Sequence, residues 1–173
     1  MDVWKQFDQN DLTHSAAHHL VAIHNLLAEF GYARVSDVAR RLQITRGSTS
    51  ITLKRLKQKG YVIEDERRFL RLSPDGERIA HLVEAKRFVM KRLFVEILGV
   101  DEATAEVDTC KIEHLLSDLA AERVSRLLRF VDRGGRQTGA FLEALRAFES
   151  SAGTPGAAAR LLAYFDSEKA AAT

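Results

Sequence analysis

Val35-Ser36-Asp37-Val38-Ala39-Arg40-Arg41-Leu42, then Gln43-Ile44-Thr45, then Arg46 to Lys59 with Gly60 behind it, read as two short helices around a tight turn. The first has apolar residues at 35, 38, 39 and 42 and opens with a capping serine. In the second, Thr49, Leu53 and Leu56 stand at i, i+4 and i+7 and line one face. Its other face shows Ser48, Ile51, Thr52 and Arg55, flanked by Arg46 and Lys54. This pattern describes a helix-turn-helix whose second helix has a basic, polar outer face. Directly after it come Tyr61-Val62-Ile63-Glu64-Asp65, the charged Glu66-Arg67-Arg68, and Phe69-Leu70-Arg71-Leu72. Apolar residues alternating on both sides of a short charged turn predict a β-hairpin, the wing of a winged helix. From Arg34 to Arg71 eleven basic residues stand against four acidic ones, a net +7 in a chain whose total is only +2. A basic helix face can be merely solvated. Here pattern, turn and wing agree, and counterion release makes such a concentration a phosphate-binding footprint.

Upstream, Asp11-Leu12-Thr13 can cap a helix to about Phe30, with Leu20, Ile23, Leu26 and Leu27 on its apolar face and Gly31 as its stop. It carries His14, His18, His19 and His24; His14 and His18 share a face, and His19 points away from them. Downstream, Ser73-Pro74-Asp75-Gly76 opens a long helix to about Leu98, with apolar positions at Ile79, Leu82, Val83, Val89, Leu93 and Ile97. Gly99-Val100-Asp101 breaks it and caps a short helix from Glu102 to Val107. A further helix is expected over Val107 to Ala121, followed by an apolar stripe through Val124, Leu127, Leu128 and Val131. So much apolar helical surface exceeds what one small bundle needs and points to a dimer interface, as does the two-fold symmetry of proteins that read pseudo-palindromic DNA. Arg133-Gly134-Gly135-Arg136 reads as a hinge before two short helices, Ala140 to Glu149 and Ala157 to Phe165, with Ala170 to Thr173 frayed.

The fold class expected is mainly α. A winged helix-turn-helix DNA-binding domain (1–74) precedes a helical metal-binding and dimerisation domain (75–133) and a helical C-terminal extension (134–173). At 173 residues, with 46% hydrophobic and 29% charged residues and only 2 prolines, the chain reads as soluble, globular and helical. Its apolar runs are too short to span a bilayer, and Met1 to Asn10 has no apolar core of a signal peptide. A single cysteine precludes an intramolecular disulfide and suits a reducing cytoplasm. There is no phosphate-binding glycine loop and no Ser-His-Asp order, and nothing points to an enzyme.

That cysteine begins Cys110-Lys111-Ile112-Glu113-His114. On a helix Cys110, Glu113 and His114 stand at i, i+3 and i+4, so a thiol, a carboxylate and an imidazole share one face. The set suits a transition metal of intermediate softness and needs a further donor from elsewhere in the chain. A buried cysteine beside a solvated Glu–His pair is the plainer alternative.

With the winged helix and this motif together, the chain resembles the DtxR/MntR family of metal-dependent transcriptional repressors over roughly Leu12 to Val131. Gly31-Tyr32-Ala33-Arg34-Val35-Ser36-Asp37-Val38-Ala39 is similar to the manganese-regulator branch; Cys110-x-x-Glu113-His114-x-x-Ser117 is similar to the iron-regulator branch. Leu72-Ser73-Pro74-Asp75-Gly76 and Ile97-Leu98-Gly99-Val100-Asp101 also match. The resemblance implies a cytoplasmic homodimer that binds a divalent metal and then an operator overlapping a metal-uptake promoter. It places the metal on His18, Cys110, Glu113 and His114, with His14 in reserve. At the family's second metal site this sequence has Arg87, Lys91 and Glu106, so that site is expected to be lost, an ion pair from Arg87 or Lys91 to Glu106 standing in for the ion. Val21 stands where the manganese branch has a further carboxylate.

On this reading Lys54, Lys57, Arg67 and Arg68 hold backbone phosphates, and Arg46, Ser48, Ser50 and Ile51 read base edges, with Arg55 on the same outer face. The donor set suits Fe(II), Zn(II) or Co(II) better than Mn(II), and the resemblance favours Fe(II), with Zn(II) or Mn(II) behind it. Two other classes stay open: a winged-helix regulator sensing an oxidant at Cys110 or an organic ligand without metal, and a small metalloenzyme in which the basic wing has no purpose.

Overall fold

The computed structural model describes residues 12–151 and 156–171. Helix α1 (His14–Phe30) starts where the Thr13 hydroxyl accepts the Ala16 N–H at 3.2 Å and stops at Gly31, whose φ of 75° a side chain would disfavour. The expected Asp11 contribution to that cap lies outside the described residues. Helix α2 (Val35–Arg41) is not capped by Ser36: its start is set by the Arg34 carbonyl, which accepts the Asp37 and Val38 N–H groups. Ser36 already has helical neighbours on both sides, two residues past the N-cap position, Arg34. Helix α3 (Arg46–Gln58) is capped by Thr45, and Thr49, Leu53 and Leu56 are its buried face.

Strands β1 (Val62–Glu64) and β2 (Leu70–Leu72) form the antiparallel wing, with Val62 opposite Leu72 and Glu64 opposite Leu70. Asp65 organises its tip: one carboxylate oxygen accepts the N–H groups of Arg67 and Phe69, both at 2.9 Å. Leu70 donates to the Ala33 carbonyl at 2.8 Å, tying the wing back to the segment before α2. Leu20, Ile23 and Leu26 of α1, Val38 of α2, Leu53 and Leu56 of α3, and Val62 and Leu70 of the wing fill one apolar core.

Helix α4 (Pro74–Arg92) is capped by Ser73 and passes into a π-helical turn, Leu93–Ile97. The single helix expected to Leu98 therefore changes its winding at Leu93, and burial falls on Ala80, Val83, Met90 and Ile97. Of the expected stripe, Val83 and Ile97 are buried, whereas Ile79, Leu82 and Val89 are only partly so and the adjacent Ala80 and Met90 take the fully buried places, a drift already present before the π-turn. Helix α5 (Glu102–Ile112) joins the two segments expected on either side of Val107 into one. The helix expected to run on to Ala121 instead breaks after Ile112: Lys86 of α4 donates to the Leu116 carbonyl at 2.6 Å, and the Ser117 hydroxyl caps helix α6 (Asp118–Arg133) through the Ala120 N–H. Good helix formers gave way to a tertiary hydrogen bond and a new cap.

The described chain clusters into two compact units, the first ending at Phe130. The second contains helices α7 (Gly135–Ser151) and α8 (Ala157–Ala171), both longer than the short helices expected, and Ala170 and Ala171 are helical rather than frayed. Among the described residues no helix is long and apolar enough to cross a membrane.

Candidate metal centre

Two elements of the first unit meet at the cluster. Helix α1 presents His14 and His18 one turn apart, their ring centroids 4.3 Å from each other. Helix α5 presents Cys110, and Glu113 and His114 follow just beyond its last residue. Glu113 keeps helical φ and ψ, and its N–H bonds the Thr109 carbonyl at 2.9 Å. The helical register thus continues one residue past the helix, which brings Glu113 round to the Cys110 side even though the long helix expected there is broken.

Cys110 Sγ lies 3.3 Å from His18 Nε2 and 3.9 Å from His14 Nε2, and Glu113 Oε1 lies 3.4 Å from His18 Nε2. Among the described residues, His14, His18 and Cys110 bring donor atoms within 4.8 Å of one another; Glu113 touches this group through His18, and His114 stands beside it, its ring centroid 5.0 Å from that of His14. Tetrahedral bonds of about 2.0–2.3 Å separate neighbouring donors by roughly 3.3–3.8 Å. The spacings of 3.3 and 3.4 Å match the edges of such a polyhedron, and the 3.9 Å one lies just outside them. His14, a reserve donor in the sequence, stands inside the cluster; its i, i+4 spacing from His18 was the available signal.

The electrostatics favour a cation. Glu113 is 1% exposed, and its Oε2 has no hydrogen-bond partner among the described residues. Burial raises its pKa to about 7, against the pull of the Arg87 guanidinium 3.6 Å away. Burial, followed by the charges of His14 and Arg87, lowers the His18 pKa to about 4, leaving a neutral imidazole with a lone pair to give. Burial also lowers His114 and raises the Cys110 thiol, the latter helped by Glu113. A buried carboxyl with an unsatisfied oxygen beside neutral imidazoles and a thiol is a donor set that gains from a divalent ion. His19, on the other side of α1, is buried with Nδ1 against the Ser15 carbonyl at 2.6 Å and serves packing.

Arg87 pairs with Glu106, and Lys91 Nζ lies 3.1 Å from the other oxygen of that carboxylate. Those hydrogen bonds, Lys91 first, hold the Glu106 carboxyl below the usual range. Arg87 also reaches Glu113, so one guanidinium touches Glu106 within α5 and Glu113 just past its end. No sequence signal announced that second contact.

On the winged helix, Arg46, Ser48, Ser50, Ile51, Lys54, Arg55, Lys57, Arg67 and Arg68 are all exposed, Ile51 by 61%. Three are partly engaged: the Ser48 hydroxyl lies 3.0 Å from Thr45 Oγ1, and Lys57 and Arg68 both pair with Glu64. A winged helix joined to helices that gather thiol, imidazole and carboxylate defines the class: a winged-helix protein with a transition-metal donor set.

The comparisons with known proteins narrow that class. Residues 73–137 match the family described as iron dependent repressor, metal binding and dimerisation domain, and residues 10–71 match the MarR family. The HTH-type transcriptional regulator MntR of Lysinibacillus sphaericus is 32% identical over 120 residues, 69% of this chain and 86% of the relative. MntR of Bacillus pumilus is 31% identical over 126 residues, covering 73% and 87%. Among solved structures, T. acidophilum IdeR matches at a TM-score of 0.55 and 24% identity, covering 65% of this chain and 53% of that one. The manganese regulator SloR matches at a TM-score of 0.61 and 18% identity, covering 66% and 54%. The chain thus spans about half the length of these two structural neighbours, which share its fold. It belongs to the DtxR/MntR family of metal-dependent transcriptional regulators, a family of regulators and not of enzymes.

Proposed function

We propose that this protein is a cytoplasmic, homodimeric repressor of metal-uptake genes that binds operator DNA when a divalent transition ion is held by His18, Cys110, Glu113 and His114, with His14 as an additional donor. The observation that carries this reading is the convergence of Cys110 Sγ and His18 Nε2 to 3.3 Å across two helices. When bound, the metal supplies the positive charge and the coordinate bonds that the cluster lacks. His18 then stays fixed to Cys110 and Glu113, and α1 stays fixed to α5. Because α1 packs into the winged-helix core, that restraint limits where α3 and the wing can point. An arrangement favoured by the bound ion and able to seat α3 in a major groove is stabilised at the expense of the others. Base edges are read by Arg46, Ser48, Ser50 and Ile51, phosphates are held by Lys54, Arg55, Lys57, Arg67 and Arg68, and two such faces need the dimer.

Sulfur and imidazole donors support Fe(II) or Zn(II) ahead of Mn(II), and the match to the iron dependent repressor family supports Fe(II) first, although one solved neighbour is described as a manganese regulator. The pairing of Arg87 and Lys91 with Glu106 supports their role as a metal-free replacement for the family's second site. Oxidant sensing without metal loses ground, because a thiol whose pKa is raised by burial is a poor nucleophile. Anaerobic Co(II) titration of the reduced protein tests the site. A thiolate-to-cobalt charge-transfer band, absent from Cys110→Ser, is expected, together with recovery of specific DNA from a random-sequence pool only in the presence of metal. No such band, or DNA binding indifferent to chelator, would overturn the reading.

A further inference from the structure

A second histidine–carboxylate cluster lies on the other side of α1, away from Cys110. His24 of α1 faces Glu77, His81 and Glu84 of α4, and one donor atom each from His24, Glu77 and His81 falls within 4.8 Å of the other two. His24 Nδ1 lies 3.0 Å from Glu77 Oε1, and His81 Nε2 lies 3.6 Å from the same oxygen. The two imidazoles meet edge to face, their centroids 4.4 Å apart. The other nitrogen of His24, Nε2, lies 3.8 Å from Glu84 Oε2.

We propose that His24, Glu77 and His81 form a second divalent-metal site, of borderline softness and best suited to Zn(II), with Glu84 as a positioning residue. Three features carry this. The donors come from two helices, and Glu77 and His81 stand at i, i+4, the spacing that puts two ligands on one helical face. Two imidazoles and one carboxylate, without sulfur, match the composition of zinc sites that keep a position for water. Finally, Glu84 Oε2 stands 3.8 Å from the ring nitrogen of His24 turned away from Glu77, beyond hydrogen-bond reach but on the side from which a carboxylate orients a ligating imidazole once it closes in. Simple His–Glu ion pairing accounts for the contact at 3.0 Å. It gives no reason for a second imidazole to pack against the first while approaching the same carboxylate oxygen.

The site differs from the Cys110 cluster in what it joins. It closes α1 onto α4, next to the wing, whereas the first joins α1 to α5. It is also half open to solvent, with His81 59% and Glu77 45% exposed, so it can load and unload without the core opening. The proposal does not depend on the metal reading of Cys110, and the two can fail separately.

Metal content after equilibrium dialysis of the full reduced chain against Zn(II) tests it, with the Co(II) spectrum reporting the thiolate site alone. His81→Gln and Glu77→Gln change exposed side chains and are each expected to hold one equivalent fewer than the unaltered chain, with the Co(II) charge-transfer band unchanged. Cys110→Ser is expected to lose that band and keep the equivalent that His81→Gln loses. Glu84→Gln should weaken this equivalent by roughly 10–100-fold without removing it, the effect expected of a group that orients a ligand. If His81→Gln and Glu77→Gln both carry as much Zn(II) as the unaltered chain, there is no metal site here and the cluster is an ion-pair network. A missing charge-transfer band in the unaltered chain would indict Cys110 and leave this comparison intact.

Discussion

Glu113 shows what a single residue contributes to the cluster. In the metal-free protein its carboxyl titrates near 7, so close to neutrality much of it carries a proton that a cation must displace. The Cys110 thiol, raised by burial, must lose one as well. His18, lowered to about 4, is already neutral and releases nothing above pH 5. Metal binding thus releases protons, and its apparent affinity rises with pH, by up to about tenfold per unit for each proton released. We expect Co(II) to bind more tightly at pH 8 than at pH 6, and Glu113→Gln, which removes one of the two protons, to flatten that slope; a pH-independent affinity would contradict the assignment. The same raised carboxyl makes a stability prediction of opposite sign without metal. Its contribution is present in full below the unfolded carboxylate range and is lost as pH rises through 7, so chelated protein should melt lower at pH 8 than Glu113→Gln does. The residue types of this cluster were legible, because Cys110, Glu113 and His114 announce a shared face by spacing alone. The part played by Arg87 at Glu113 was not, since it depends on where α4 crosses α5, and no local pattern encodes that crossing.

The elements were legible where one signal dominates and illegible where a distant group intervenes. Helix α3 and the wing followed from period and turn chemistry, since each is settled by residues within its own reach. The break after Ile112 was not, because it is settled by Lys86 from another helix, 30 positions away. Gly76 is a further case. At the start of α4, a Cβ there would lie 2.2 Å from the Tyr61 carbonyl oxygen, which already accepts the Ser73 N–H. Replacing a helical glycine by alanine ordinarily stabilises a helix by about 1 kcal/mol. Here the sign should reverse: Gly76→Ala must push α4 off the base of the wing, at a cost of about 2 kcal/mol for overpacking. For a chain of this size that lowers the melting temperature by roughly 4–8 °C, read by circular dichroism. A rise in melting temperature would mean that the close approach to Tyr61 relaxes freely. Arg87→Ala tests the other interhelical device. Losing the strut from α4 to Glu106 should weaken metal-dependent DNA binding, measured by fluorescence anisotropy on a selected operator, and unchanged binding would remove the case for a replaced metal site.

For the whole molecule the open quantity is how many copies act together. Helix α6 leaves Leu119 64% and Phe130 68% exposed, with Leu127 also exposed. Leu119 and Phe130 are eleven residues apart, about three turns, and so lie on the same side of α6. Large apolar groups so placed are costly in water and favour burial against a second copy. Through a two-fold axis each copy covers the same surface of the other, which also sets the spacing of two α3 helices along DNA. Leu119→Asp combined with Phe130→Asp places two charges on that face while leaving Leu128, the buried residue of α6, untouched. Analytical ultracentrifugation is expected to find the unaltered chain as a dimer and the double variant as a monomer. The variant should keep its Co(II) thiolate band, because Cys110, Glu113 and His18 lie within one chain. Its DNA affinity should fall by far more than loss of a surface contact accounts for, because one half-site replaces two. A variant that still sediments as a dimer would move the interface elsewhere; one that becomes a monomer yet binds operator DNA at full strength would show that a single winged helix suffices.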